Sequence, residues 1–257
     1  MGRVRSERGV SAPFARELVF DVNGNLNSYP PRMFQRVYDS PWHNPVLFFV
    51  VAALFLLALL GRRASTFLWR WAVVFTLEIA ADAYLTGGWS PLLPNHASLI
   101  GTVAVPFVIL GDYRFFLLAE RVRAAHDPST PTPRRAFGIA LAWSFVVPVL
   151  AFGTARIAAA HFVESRRLFL LYEVMFLVLA ASFYATRLRT LTDSEAARWV
   201  RKLFAFEIVT YVLWALADIV ILGGSDVGYG IRLVPNVFYY ACFLPFAFLT
   251  APRAWRT

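Results

Sequence analysis

Lysine and cysteine are all but missing from this chain of 257 residues, which holds one of each. Cys242 alone can form no intrachain disulfide, and its place inside an apolar run makes it a packing residue. Charge is scarce as well: 16% of residues are charged against 58% hydrophobic, and a mean hydropathy of +0.56 excludes an ordinary soluble domain. No short apolar core with a small-residue cleavage site stands near the N-terminus, and no lipidation signal is expected at either end; the first long apolar run begins near Val46. His-Glu-x-x-His, Gly-x-Ser-x-Gly and phosphate-loop patterns are all absent, so no cofactor is indicated.

What positive charge there is comes from arginine. The net charge of +9 rests on 24 arginines and one lysine, Lys202. The arginines flank the apolar runs, as the positive-inside rule places them. No basic stripe with interleaved aromatics lies outside those runs, which argues against nucleic acid as a partner and for membrane lipids.

Seven hydrophobic runs, at 45–61, 66–87, 97–120, 136–157, 166–187, 199–223 and 231–251, predict an all-α fold: a polytopic bundle of seven transmembrane helices. Residues 1–44 read as a polar N-terminal tail, with Phe34, Tyr38 and Trp42 suited to a segment at the membrane surface. Residues 45–252 form the membrane domain and 253–257 a short basic C-terminal tail. Eleven connecting or tail arginines, from Arg62 and Arg63 to Arg253 and Arg256, fall on one side, against Arg156, Arg166, Arg167 and Arg232 on the other. The rule then expects the N-terminus outside and the C-terminus in the cytoplasm, although six arginines in the N-terminal tail pull the other way.

Acids inside apolar runs are the main functional signal, because a charge at that depth is costly unless it meets a cavity or a partner. The sixth run carries Glu207, Tyr211, Trp214 and Asp218 at spacings of four, three and four, which is one face of a helix. Trp71, Phe75, Glu78 and Asp82 repeat that spacing in the second run. Run three adds Asp112 and Arg114, run five Glu173 beside Tyr172, and run seven Asn236, Tyr239 and Tyr240. Asp112 and Arg114 are too close in sequence to share a face, so each is expected to pair with a different helix.

The two acidic runs also share a string. Ala81-Asp82-Ala-Tyr-Leu-Thr-Gly87-Gly88 and Ala217-Asp218-Ile-Val-Ile-Leu-Gly223-Gly224 both read Ala-Asp-x4-Gly-Gly. As a duplication, this makes runs one to three equivalent to runs five to seven, with run four the linker, a 3+1+3 parallel repeat. The layout resembles that of the PQ-loop and SWEET-type sugar carriers, although the Pro-Gln pair that names the former is absent. Retinal binding by the usual linkage is excluded, since the last run has no lysine for a Schiff base.

Three functions compete. In the first, a small-solute or proton-linked carrier, Glu78, Asp82, Asp112, Glu173, Glu207, Tyr211, Trp214, Asp218, Asn236, Tyr239 and Tyr240 bind protons or a small polar solute or ion. Asp82 and Asp218 then occupy equivalent places in two halves. In the second, a lipid-modifying intramembrane enzyme, His96 and His161 join outer acids around a metal ion. In the third, a non-catalytic sensor or assembly subunit, buried charges only fix how the helices pack.

Overall fold

The computed structural model describes residues 32–62, 64–93, 97–126, 132–158 and 165–256. Among these the secondary structure is helical throughout, without a strand. Helix α1 is Met33–Tyr38, and α2 spans Trp42–Leu60 with a break at Asn44, whose backbone is extended. There follow α3 (Thr66–Thr86), α4 (Ala97–His126) and α5 (Pro133–Ile157). Helix α6 is Ser165–Phe183, carried on by Tyr184–Leu188, and α7 is Glu195–Leu222. Helix α8 runs over Val227–Thr250, and the short α9 is Arg253–Arg256.

Six of these helices, α2 and α4 to α8, are long and apolar enough to cross a membrane, which fits a multi-pass membrane protein. The expected seventh, α3, forms over the whole of its apolar run. Arg70, Glu78 and Asp82 lie along it, and it is not among the six. The first 31 residues of the tail, Arg63, His96, His161 and Thr257 lie outside the described residues.

Local chemistry sets the helix ends. Ser65 caps α3 by accepting from the Leu68 N–H, and Ser194 caps α7 by accepting from the Ala197 N–H at 3.1 Å, with Glu195 favourably placed in the first turn. Pro133 opens α5, where its missing N–H costs nothing. The two Gly-Gly pairs of the shared string do different jobs. Gly224 adopts a φ of +83° and closes α7. Gly87 instead permits close approach: a Cβ there would fall 2.7 Å from the Asn44 side-chain oxygen, and the Gly88 N–H donates to the Asn44 carbonyl at 3.1 Å.

The helix ends gather at two poles. At one, α2 and α3 meet the C-terminal segment. The Trp255 ring lies 5.8 Å from those of Phe67 and Trp199, and its carbonyl accepts from the Ser65 N–H at 3.0 Å. Buried Glu120 there holds Arg123 at 3.1 Å and Arg187 at 3.9 Å, tying α4 to the end of α6. At the other pole, the Asp226 carboxylate accepts the Phe34 and Gln35 N–H groups at 3.0 Å each, docking α1 on the start of α8. Between the poles, buried Phe115, Phe116, Phe176 and Phe183 interleave, with ring centroids 5.0 Å apart for Phe116 and Phe183. Trp143 joins them edge-on at 5.2 Å. This aromatic layer separates the Trp255 pole from the polar residues described next.

Candidate functional site

Both acidic stripes turn inward. Glu207, Tyr211, Trp214 and Asp218 are all buried along α7, and Trp71, Phe75 and Asp82 along α3. Their partners fall into two groups at different depths.

The group nearer the α1 pole centres on Arg232 in the second turn of α8. Its Nη1 lies 2.5 Å from Asp218 Oδ1 and 3.1 Å from Glu173 Oε1, and its Nε donates to the Tyr38 hydroxyl at 3.2 Å. Arg166, at the start of α6, reaches Asp218 Oδ1 at 3.5 Å and sits over the Tyr38 ring at 5.1 Å. Two guanidiniums therefore meet two carboxylates. Tyr38 is half-buried and lies outside the spans. Desolvation pushes its phenol up, but the charges of Arg232 and Arg166 together pull it down by more, leaving it below the ordinary tyrosine value.

One helical turn deeper, a directional chain of hydrogen bonds links α7, α8 and α2. Trp214 Nε1 donates to Asn236 Oδ1 at 2.7 Å, and Asn236 Nδ2 faces His43 Nε2 at 3.2 Å. His43 Nδ1 faces the Tyr38 carbonyl at 3.0 Å. A neutral imidazole with its proton on Nδ1 satisfies every member of this chain.

The deeper group surrounds Arg114. Its side chain is 0% exposed and stacks over the Tyr239 ring at 3.8 Å, while Nη2 donates to the Tyr239 carbonyl at 2.7 Å. That carbonyl belongs to the widened turn Val237–Cys242, where the i→i+4 ladder is loosened. Among the described residues, Arg114 Nε and Nη1 have no hydrogen-bond partner, and neither do Glu78 Oε2 and Glu207 Oε1. Arg114 is the cation whose field acts on Glu78, Asp82, Asp112 and Glu207 alike. Asp112 takes the hydroxyls of Tyr172 and of Tyr211, the latter at 2.5 Å. Asp82 accepts the Thr86 hydroxyl at 2.9 Å and lies beside Tyr240.

The structure thus places Glu78, Asp82, Asp112, Glu207, Tyr211, Tyr239 and Tyr240 around the Arg114 centre, and Glu173 and Asp218 around Arg232. Asn236 and Trp214 bridge the two levels. Asp82 and Asp218, matched in sequence, have different partners. Arg232, counted with the connecting arginines at the edge of the last run, and His43, expected in the outer tail, both prove to be buried members of this assembly. Among the described residues no group of three His, Cys, Asp or Glu side chains is placed to hold a metal ion. The chain matches no protein family, no curated protein and no solved structure.

Proposed function

We propose that the chain is a proton-linked carrier of a small polar solute, with the Arg114 centre as its proton-binding site. The observation that carries this reading is stoichiometric: four carboxyl groups share the field of one guanidinium, and the guanidinium and two of the acids retain unused hydrogen-bonding atoms. Four full negative charges against one positive charge in a low-dielectric interior are untenable, so the centre holds protons and can exchange them. Asp112 with Tyr172 and Tyr211 adds hydroxyls able to pass or hold a proton. The carrier has seven spans in this reading. Helix α3 packs in the same bundle and turns Glu78 and Asp82 to the centre, while exposed Arg70 lies five residues past its cap, near enough to the Trp255 pole to snorkel. The Trp255 pole faces the cytoplasm and the α1 pole the outside.

The test does not need the solute. Infrared spectroscopy of the reconstituted protein should show absorption from protonated buried carboxyls that Glu78→Gln and Glu207→Gln each remove in part. In proteoliposomes, solute-driven proton movement across a panel of small polar solutes should be lost in Glu207→Gln at normal folded yield. Absence of any protonated-carboxyl absorption that these two substitutions remove would sink the reading.

A second reading has its own support. The close ion pairs around Arg232 are what a structural component would use to fix helix packing. If both substitutions left every transport measurement intact and only lowered stability, a non-catalytic membrane subunit would be the better description.

A further inference from the structure

At the pole opposite α1, a pocket of about 320 Å³ is lined by Gly61, Arg62, Phe248, Leu249 and Arg256. Its two arginines come from different elements, the end of α2 and the end of α9, and converge on one space. Among the described residues no acid pairs with either. Gly61 leaves the pocket open, since a Cβ there would meet nothing within 4 Å. The neighbouring pocket differs: its Arg121 lies over the rings of Phe67 and Phe137, which already engage the guanidinium.

Beside the arginines, Phe248 and Leu249 supply the apolar part of the lining. Phe248 and Leu249 belong to the last two turns of α8. On α2, Leu54, Leu57 and Leu60 form a stripe at spacings of three that is 61%, 64% and 77% exposed and ends at Gly61–Arg62. Two guanidiniums without an acid partner among the described residues, beside a stripe of exposed leucines, match a phosphodiester joined to acyl chains. A soluble phosphate would use the arginines but gain nothing from the leucine stripe.

We propose that this pocket binds the headgroup of an anionic glycerophospholipid, with Arg62 and Arg256 holding the phosphodiester and an acyl chain lying along Leu60, Leu57 and Leu54. The site is separate from the Arg114 centre and independent of what that centre does.

Native mass spectrometry of the full chain in detergent tests it, with phosphatidylglycerol, phosphatidylcholine and soluble glycerol phosphate as probes. Phosphatidylglycerol should be retained in preference to phosphatidylcholine, and Arg62→Gln/Arg256→Gln should weaken it about thirtyfold. Arg256→Gln alone should weaken it about fivefold, which keeps the test decisive if the double variant folds poorly. Arg156→Gln, which removes the same charge from an exposed position at the opposite pole, should leave retention unchanged. Equal losses in Arg156→Gln and Arg256→Gln would reduce the effect to net charge and overturn the site. Displacement of phosphatidylglycerol by an equal concentration of glycerol phosphate would overturn the lipid assignment in favour of a soluble phosphate ligand.

Discussion

Arg232 and Arg114 are both enclosed guanidiniums in one helical bundle, yet they differ in how their charge is met. Around Arg232 a second cation, Arg166, shares the load, and two arginines face Glu173 and Asp218 at distances of 2.5 to 3.5 Å. Around Arg114 no acid comes within ion-pairing distance among the described residues, while four act on it through space. The first arrangement is balanced and rigid, since each group has a short contact that would be lost on moving. The second is overloaded with acid and has no close ion pair among the described residues, so it can change protonation without first breaking one. A buried charge of the first kind speaks for architecture, and one of the second kind for chemistry.

Deleting each arginine gives the largest expected contrast. Arg114→Ala removes the bond to the Tyr239 carbonyl and the one cation acting on four acids that can take up protons instead, a loss of about 1.5–3 kcal/mol. Arg232→Ala leaves Arg166 beside Asp218 but breaks two close buried pairs and should cost about 3–5 kcal/mol. Thermal unfolding and folded yield in detergent measure both. The Arg114→Ala defect should also shrink as pH falls, because an acid that has taken up a proton no longer needs the guanidinium. Equal damage from the two substitutions, with no pH dependence in either, would erase the distinction between the groups.

Neutralising one acid in each group should give smaller effects of unequal size. Asp218→Asn leaves two arginines facing Glu173 alone and should lose about 1.5–3 kcal/mol. Glu207→Gln removes one of a surplus and should stay within about 1 kcal/mol of the parent. If Glu207→Gln proved the more damaging to stability, the Arg114 centre would have to be counted as structural too.

Much of the fold was legible from residue order alone, because helix length and apolar content are local properties. The run expected at 66–87 is the helix Thr66–Thr86, and that at 136–157 lies within Pro133–Ile157. The inward faces of α3 and α7 followed from spacing as well. Which acid meets which cation did not, because partners depend on helix rotation and on neighbours far away in the chain. Arg232 illustrates the failure. Gly228 and Gly230 read as loop residues ahead of the last run, whereas in the structure they are helical and allow close packing. A Cβ at Gly228 would lie 2.7 Å from the Ile221 nitrogen, and one at Gly230 would lie 2.9 Å from the Phe34 ring. The helix therefore begins earlier than its hydropathy suggests, which sets Arg232 in its second turn rather than at its edge. His43 was misplaced for a related reason, since the break at Asn44 carries the imidazole inward just before the apolar run begins. Arg114 stood in plain view as a charge within an apolar run, but nothing in its sequence neighbours named Glu78 or Glu207.

The smallest expected effect lies at the edge of the balanced group and tests whether its charges act together. Tyr38 accepts from Arg232 Nε and lies under Arg166, and these two charges outweigh desolvation to lower its pKa. A group whose folded pKa lies below its unfolded value stabilises the fold above that unfolded value, and the contribution fades as pH falls through the folded pKa. The ionisation of Tyr38 should therefore add stability only in the alkaline range. Tyr38→Phe should cost about 1 kcal/mol near neutrality, through the lost hydrogen bond, and more as the pH is raised. Ultraviolet difference titration should show one tyrosine ionising ahead of the rest in the parent, absent from Tyr38→Phe and delayed in Arg232→Ala. Were the early component to survive Tyr38→Phe, the two arginines would not be focusing their charge on this hydroxyl, and the balanced group would reduce to separate pairs.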